Sequence, residues 1–108
     1  MRTTHGRTIA VCGLLEDKDV TAVARAMDPV VDEWIAVGLT GPRARDAHTL
    51  AGGLEAVIAA PVHRADDVAA GCLLARDMAG PGDRVVVFGS FHTVGPALEW
   101  LGLDAAAG

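Results

Sequence analysis

The sequence contains little aromatic material: among 108 residues there is no tyrosine, with two phenylalanines and two tryptophans. Alanine, valine, leucine and glycine must therefore supply most of the packing. Hydrophobic residues make up 51% of the chain, which is enough for a core, and the length fits one domain. A domain of this size buries only about 60–70% of its unfolded surface, so we expect a narrow margin of stability.

Positive charge is scarce as well, with a single lysine, Lys18, scattered arginines and a formal net charge of −5. Nucleic-acid binding needs clustered cations, so no nucleic-acid partner is expected. No apolar run approaches the ~18–20 residues of a membrane span, and residues 1–8 do not lead into a signal peptide, so no membrane partner is expected. Cys12, Cys72 and the histidines lack metal-ligand spacing. These features favour a cytoplasmic protein with two buried thiols and no metal site.

Four short apolar runs predict strands that are covered on both faces, as in a parallel sheet. They are Thr8–Cys12, Glu33–Val37, Glu55–Ala60 and Arg84–Phe88.

Apolar residues at helical spacing follow each of these runs. The four sets are Val20, Val23, Ala24 and Met27; Ala47, Leu50, Ala51 and Leu54; Val68, Cys72, Ala75 and Ala79; and Val94, Leu98 and Leu101. Asp66 or Asp67 is expected to cap the third helix, and the GPGD segment 80–83 is expected to end it with Gly80 as a left-handed cap. The order β-α-β-α-β-α-β-α predicts a three-layer α/β fold with helices on both faces of a mostly parallel sheet of about four strands.

Ligands of such sheets bind beyond the carboxyl ends of the strands, which draws attention to the loop after the first strand. Asp17 and Asp19 can cap the helix that follows. Lys18 opposes the dipole of that helix, so its ammonium group either grips a carboxylate or phosphate or is simply solvated.

The loop after the fourth strand carries Ser90, Phe91, His92 and Thr93. Ser90 and Thr93 can cap the next helix, whose N–H groups would attract an anion. His92 can donate to an anion or shield the helix end, and Phe91 can pack under the loop or flank a ligand. A hydrolase is disfavoured because no G-x-S-x-G motif is present.

Other segments carry weaker signals. Arg43 and Arg45 either face a ligand or form a solvated pair, and His63 is interpreted as a surface residue. Neither G-x-x-x-x-G-K-[ST] nor G-x-G-x-x-G occurs.

Two strings, VCGLLEDKDV and VVVFGSFHTVGPAL, together resemble the carboxy-terminal domain of the folylpolyglutamate synthase/dihydrofolate synthase family, within the Mur ligase superfamily. The segments VDEWIAVGLTGPRA and HRADDVAAGCLLARDMAGPGD are also similar, so the resemblance covers about Arg7 to Leu103. It implies that residues 1–108 form one Rossmann-like glutamate ligase domain.

The resemblance also implies an ATP-dependent amide ligase. In that family ATP and magnesium convert a carboxylate to an acyl phosphate, which the amine of glutamate attacks; the acceptor is dihydropteroate or a glutamylated folate. Lys18 would pair with a glutamate carboxylate, Ser90 and nearby N–H groups would hold the same substrate, and His92 would line the cleft. The implied substrate-binding residues are Asp17, Lys18, Asp19, Ser90, Phe91, His92 and Thr93, with no catalytic residue in this chain.

The sequence also departs from the family pattern. The phosphate-binding loop, the magnesium ligands, the ATPase domain and the opening strand and helix with D-x-A-H-N-P are all missing, so we expect an N-terminally truncated domain. ATP and magnesium would bind mainly outside it, and the chain alone is expected to be inactive.

The alternative is a stand-alone Rossmann-like binding module for a small acidic ligand or a protein partner. A receiver-like domain is disfavoured, because the first strand ends in Cys12 and Gly13 rather than in a cluster of acids.

Overall fold

The computed structural model describes residues 6–41 and 43–89, which form a parallel sheet and three helices. The strands are β1 (Thr8–Gly13), β2 (Glu33–Val37), β3 (Val62–Ala65) and β4 (Arg84–Gly89). The helices are α1 (Val20–Met27), α2 (Ala47–Glu55) and α3 (Val68–Met78), and a 3-10 turn over Asp28–Val30 follows α1. The predicted α/β fold class is confirmed, whereas the fourth predicted helix lies outside the described residues.

The sheet has the strand order β3-β2-β1-β4, and every pairing in it is parallel. From β1 the chain moves to the neighbouring β2 and then to β3. It then crosses back over the sheet to place β4 on the other side of β1. The direction of winding therefore reverses between β1 and β4, which makes the gap between their carboxyl ends the topological switch point of the sheet.

Two hydrophobic clusters lie on opposite faces of the sheet because side chains alternate along each strand. One contains Ala10, Cys12, Trp34 and Ala36 of the strands, together with Val20 and Ala24 of α1 and Leu50, Ala51 and Leu54 of α2. The other contains Ile9, Val11, Ile35 and Val37, together with Val68, Cys72 and Ala75 of α3. Helices thus cover both faces, as predicted.

An aspartate begins each helix by accepting a backbone N–H in the first turn. The acceptors are Asp19 for Ala22 N–H (3.0 Å), Asp46 for Thr49 N–H (2.6 Å) and Asp67 for Ala70 N–H (2.8 Å). The hydrogen bond from Thr49 lowers the pKa of Asp46, which keeps this cap ionised. Of the two caps considered for α3, Asp67 is therefore the one used.

The predicted third strand at Glu55–Ala60 is wrong. Glu55 still belongs to α2, and the chain turns immediately afterwards, with the N–H groups of Val57 and Ile58 donating to the carbonyl of Leu54 at 3.0 Å. Ile58 is buried in the α1/α2 cluster, so this apolar run covers the sheet instead of joining it. The strand is Val62–Ala65, a half-buried edge strand that shows no continuous apolar run.

The GPGD segment also differs from the prediction. Helix α3 ends at Met78 and Ala79 is extended, so Gly80 provides no left-handed cap; the left-handed residue is Gly82, with φ of 88°. The Asp83 carboxylate accepts the Gly80 N–H at 2.9 Å and the Arg7 N–H at 2.7 Å. These bonds lower the pKa of Asp83, that from Gly80 most strongly. A side-chain-stabilised turn therefore replaces the expected glycine cap.

Helix α3 packs closely on the sheet at Gly71. A Cβ atom built on this residue would lie 2.3 Å from Cγ1 of Val37 and 3.2 Å from Cγ1 of Val11. Since real Cβ atoms do not come so close to their neighbours, glycine is required for this approach of helix to sheet.

The amino ends of the strands form a polar rim opposite the switch point. The Arg7 guanidinium pairs with Glu33 and with Asp83 (3.1 Å), and it donates to the carbonyl of Met78 at 2.7 Å. The bond to Asp83 is the main cause of the raised pKa of Arg7. Nε2 of His63 lies 3.1 Å from Glu33, so His63 is a partly exposed member of this rim. The network joins the starts of β1, β2 and β4 to the end of α3.

Both cysteines are buried and free, and they lie on opposite faces of the sheet. Burial raises the pKa of Cys12 to about 12 and also raises that of Cys72. Both are therefore protonated thiols in the native chain, as their positions in apolar runs predicted. Among the described residues, no helix has the length and apolar character needed to cross a bilayer.

Candidate functional site

The candidate site lies at the carboxyl ends of β1 and β4. These strands pair in parallel along their full length, and Gly13 at the end of β1 lies opposite Gly89 at the end of β4. The loop that carries Lys18 leaves from Gly13, and Ser90 follows Gly89 directly in the sequence. Ser90, Phe91, His92 and Thr93 lie outside the described residues, so the structure provides the point from which that segment starts.

The three predicted residues of the first loop have different environments. Asp19 is the N-cap of α1, and one of its carboxylate oxygens is engaged with Ala22 N–H. Asp17 and Lys18 are exposed. Within the described ranges, the Lys18 ammonium group has no carboxylate within ion-pair distance. The Asp19 carboxylate is thus used to cap α1, whereas the exposed side chains of Asp17 and Lys18 are available to a ligand.

The backbone on both sides of Lys18 is nevertheless fixed. Its N–H donates to the carbonyl of Leu15 at 3.1 Å, which closes a four-residue turn. Its own carbonyl accepts a hydrogen bond from Nη2 of Arg45 at 3.0 Å. Lys18 is therefore a solvent-facing cation on an ordered backbone, which lowers the entropy cost of binding an anion.

Arg43 and Arg45 have different environments in the structure, although the sequence allowed both residues either to face a ligand or to form a solvated pair. Arg43 is exposed and has a left-handed backbone, with φ of 63°. Arg45 is half-buried and turns back into the Lys18 loop. The sequence did not predict the contact of Arg45 with the Lys18 loop. Its hydrogen-bond partners lie 27–30 positions away along the chain, so no local sequence pattern indicates them.

The described part of the chain contains no group of three or more histidine, cysteine, aspartate or glutamate side chains that could hold a metal ion. The carboxylates nearest the switch point are either a helix cap, as for Asp19, or single exposed acids such as Glu16 and Asp17. These residues therefore fit the binding of a charged organic ligand better than the direct coordination of magnesium.

Comparison with protein families gives a match to the family described as Mur ligase, glutamate ligase domain, over residues 1–91. The chain belongs to this family. The match includes the described sheet and all three described helices, together with Ser90 and Phe91 of the following segment. It confirms the resemblance that the GLLEDKD and GSFHT strings suggested.

Among curated proteins, the chain is 39% identical over 94 residues to the dihydrofolate synthase/folylpolyglutamate synthase of Haemophilus influenzae, which covers 86% of this chain and 22% of that protein. Among solved structures, it is similar to Escherichia coli FolC in complex with DHPP and ADP, with a TM-score of 0.82 and 36% identity over 91% of this chain and 22% of the other.

A bifunctional folylpolyglutamate synthase/dihydrofolate synthase solved with Mn, AMPPNP and L-glutamate bound has a TM-score of 0.77 and 35% identity, covering 91% of this chain and 23% of that one. The chain thus spans about a fifth of the length of the relatives that it matches. The similarity is that of one domain to part of a larger enzyme.

Proposed function

We propose that this chain is the carboxy-terminal, glutamate-binding and domain-closing part of an ATP-dependent folate:glutamate amide ligase. The observation that carries the proposal is the position of Lys18, the only lysine of the sequence, on an ordered loop at the switch point between β1 and β4. Ligands of open α/β sheets bind at this point. Family membership and the relatives solved with nucleotide, metal and L-glutamate favour a ligase domain over a stand-alone binding module.

In the proposed site, the Lys18 ammonium group pairs with a carboxylate of the incoming glutamate. Ser90 and neighbouring backbone N–H groups hold the same molecule, His92 and Phe91 line the cleft, and Thr93 belongs to the same proposed binding segment. Asp17 lies within the same loop and is available to the amino group of the substrate. These residues orient the amine of glutamate, and orientation of this kind converts a slow encounter of two reactants into a fast step within one complex.

The remaining chemistry is assigned to parts of the enzyme beyond this domain. ATP, bound with magnesium mainly by an ATPase domain, would donate a phosphoryl group to the folate or dihydropteroate carboxylate and leave as ADP. Attack by the glutamate nitrogen then forms the amide bond and releases phosphate, with loss of a proton from the amine. The role of the present chain is to bind glutamate and to close over that reaction.

Because Lys18 is the only lysine, amine acetylation offers a direct test of glutamate binding. We expect L-glutamate to slow acetylation of Lys18, by about threefold at a concentration of twice the Kd, since protection follows 1 + [L]/Kd. Mass spectrometry of the acetylated peptides measures this rate, and the α-amine of Met1 provides an internal reference for reagent strength.

L-Glutamine at matched ionic strength is the ligand control, because it lacks the side-chain carboxylate. A Lys18 acetylation rate that stays the same at every glutamate concentration, in a chain shown to be folded by circular dichroism, would count against the proposal. Equal protection by glutamate and glutamine would mean that Lys18 pairs with the α-carboxylate, which both molecules carry, and not with the side-chain carboxylate.

The chain alone is expected to have no ligase activity. The sequence carries no phosphate-binding loop, and within residues 6–41 and 43–89 no side-chain group is arranged to hold a metal ion. Incubation with ATP, magnesium, glutamate and a folate, followed by a phosphate-release assay, measures this directly. A complete folylpolyglutamate synthase serves as the positive control, and phosphate release above background that depends on both the chain and the folate would refute the expectation.

A further inference from the structure

We propose that Arg45 is a positioning residue that fixes the loop carrying Lys18 at the carboxyl rim of the sheet; the consequence for ligand binding rests on the function proposed above. Arg45 lies in the β2–α2 connection, directly before the N-cap Asp46. Its Nη2 atom lies within hydrogen-bond distance of three carbonyl oxygens of the β1–α1 loop, which share its two N–H donors. The distances are 3.1 Å to Leu15, 2.9 Å to Glu16 and 3.0 Å to Lys18.

These bonds are part of a wider junction between the two loops. The N–H of Glu16 donates to the carbonyl of Arg43 at 2.9 Å, and Leu15 and Ala44 form an isolated antiparallel bridge. Backbone bonds therefore hold one side of the junction, and the guanidinium group of Arg45 adds side-chain contacts to the carbonyls of Leu15, Glu16 and Lys18 on the other. A cation that gathers carbonyl oxygens in this way acts as lysine and arginine do at the carboxyl end of a helix.

The effect on Lys18 follows from the planarity of the peptide bond. The peptide group before Lys18 is fixed because its N–H donates to Leu15, and the group after Lys18 is fixed because its carbonyl accepts from Arg45. With both peptide planes held, the backbone of Lys18 has no free rotation, and its side chain leaves the loop from a defined point. Without Arg45, the second plane is released.

Unlike Arg7 and Arg64, Arg45 has no carboxylate partner among the described residues. Arg7 pairs with Glu33 and Asp83, and Arg64 pairs with Glu55. The Arg45 side chain instead places its charge against backbone carbonyls, and its buried Nε atom has no acceptor within the described residues. Its loss would therefore leave no unpaired acid behind, and the three carbonyls, which lie in a largely exposed loop, can bond to water. We infer a local loosening of the loop rather than global unfolding.

Amide hydrogen exchange followed by NMR tests the inference. In Arg45→Met, which keeps the apolar stem and removes the donors, the amides of Glu16 and Lys18 are expected to exchange at least about tenfold faster than in the wild type. The amides of Val11 and Ile35 in the central strands are expected to keep their rates. Arg45→Lys, which retains the charge but not the planar set of donors, is expected to give an intermediate rate.

Arg43→Met is the matched control, because this exposed arginine lies two residues away and its side chain makes no hydrogen bond to a described residue. It is expected to leave all four exchange rates unchanged. The inference is overturned if Arg45→Met exchanges at the wild-type rate, if Arg43→Met accelerates the loop equally, or if the amides of Val11 and Ile35 accelerate in parallel, which would indicate global destabilisation.

Glutamate protection of Lys18 from acetylation provides the readout that a purely structural role would not change. Arg45→Met is expected to need at least about fivefold more glutamate for half-protection, and Arg45→Lys less than that. Unchanged protection in Arg45→Met would overturn the positioning role even if the loop exchanges faster. If the wild-type chain shows no protection, the glutamate proposal fails, whereas the exchange rates still decide whether Arg45 fixes the loop.

Discussion

Replacing Trp34 by alanine is expected to lower the free energy of unfolding by about 3–5 kcal/mol, the usual cost of truncating a large buried aromatic side chain. Trp34 is fully buried in the cluster beneath α1 and α2. Its ring meets that of Phe88 edge-on, with 5.7 Å between centroids and 71° between the planes. Domains of this size are stable by only about 5–15 kcal/mol, so urea denaturation is expected to show a large fall in midpoint.

Trp34→Phe is the informative companion variant. The indole Nε1 atom is buried and has no hydrogen-bond partner among the described residues, so phenylalanine removes a donor without breaking a bond to them. It also retains an aromatic ring against Phe88, and its loss is expected to be clearly smaller than that of alanine. Equal losses for the two variants would contradict this expectation, because the phenyl ring would then recover none of the packing of the indole.

Replacing Gly71 by alanine is expected to destabilise the chain by about 1–3 kcal/mol, although alanine is the better helix former. The added methyl group would lie 2.3 Å from Cγ1 of Val37, which is itself fully buried and stiff at χ1. Either α3 must move away from the sheet or Val37 must leave its preferred rotamer.

Gly52→Ala provides the matched control on another helix. Gly52 lies inside α2, and a Cβ atom built there meets nothing within 4 Å. The same substitution is therefore expected to stabilise the chain by about 0.5–1 kcal/mol through helix propensity alone. Thermal and urea unfolding of both variants would measure the contrast, and a stabilising Gly71→Ala would disprove the close packing of α3 against β1 and β2.

Patterns within short segments predicted most of the fold. The central strands β1 and β2 are apolar because helices cover both of their faces, and the edge strand β4 was predicted because its apolar run is continuous, although Val85 is exposed. The spacing of apolar residues in α1, α2 and α3 records the face that each helix buries. The third strand was not predicted because β3 contains His63 and Arg64 and so has no continuous apolar run, whereas the apolar residues Val57 and Ile58 follow α2 and pack against the α1/α2 cluster. An apolar run indicates which residues are buried but not which element they belong to, and Ile58 is buried outside the sheet.

The strand order and the loop junction could not be read from such patterns. Both depend on contacts between residues that are far apart in sequence, such as Gly13 with Gly89 and Arg45 with Lys18. The sequence nevertheless indicated Lys18, because a lone cation before a helix opposes the helix dipole. The sequence also allowed Asp19 either to cap α1 or to contact the substrate, and the structure shows its carboxylate capping α1.

The return of the chain to β4 has a consequence for the order of events during synthesis. Neighbouring strands β1, β2 and β3 emerge in sequence and can pair as they appear, but β4 must join β1 across a separation of 76 positions, as between Thr8 and Arg84. Such distant pairings form late because closing a long stretch of chain costs conformational entropy before any stabilising contact is made. Among the described strands, β4 is thus the last to join the sheet, and a nascent chain that stops before β4 has the Lys18 loop beside an unpaired edge of β1.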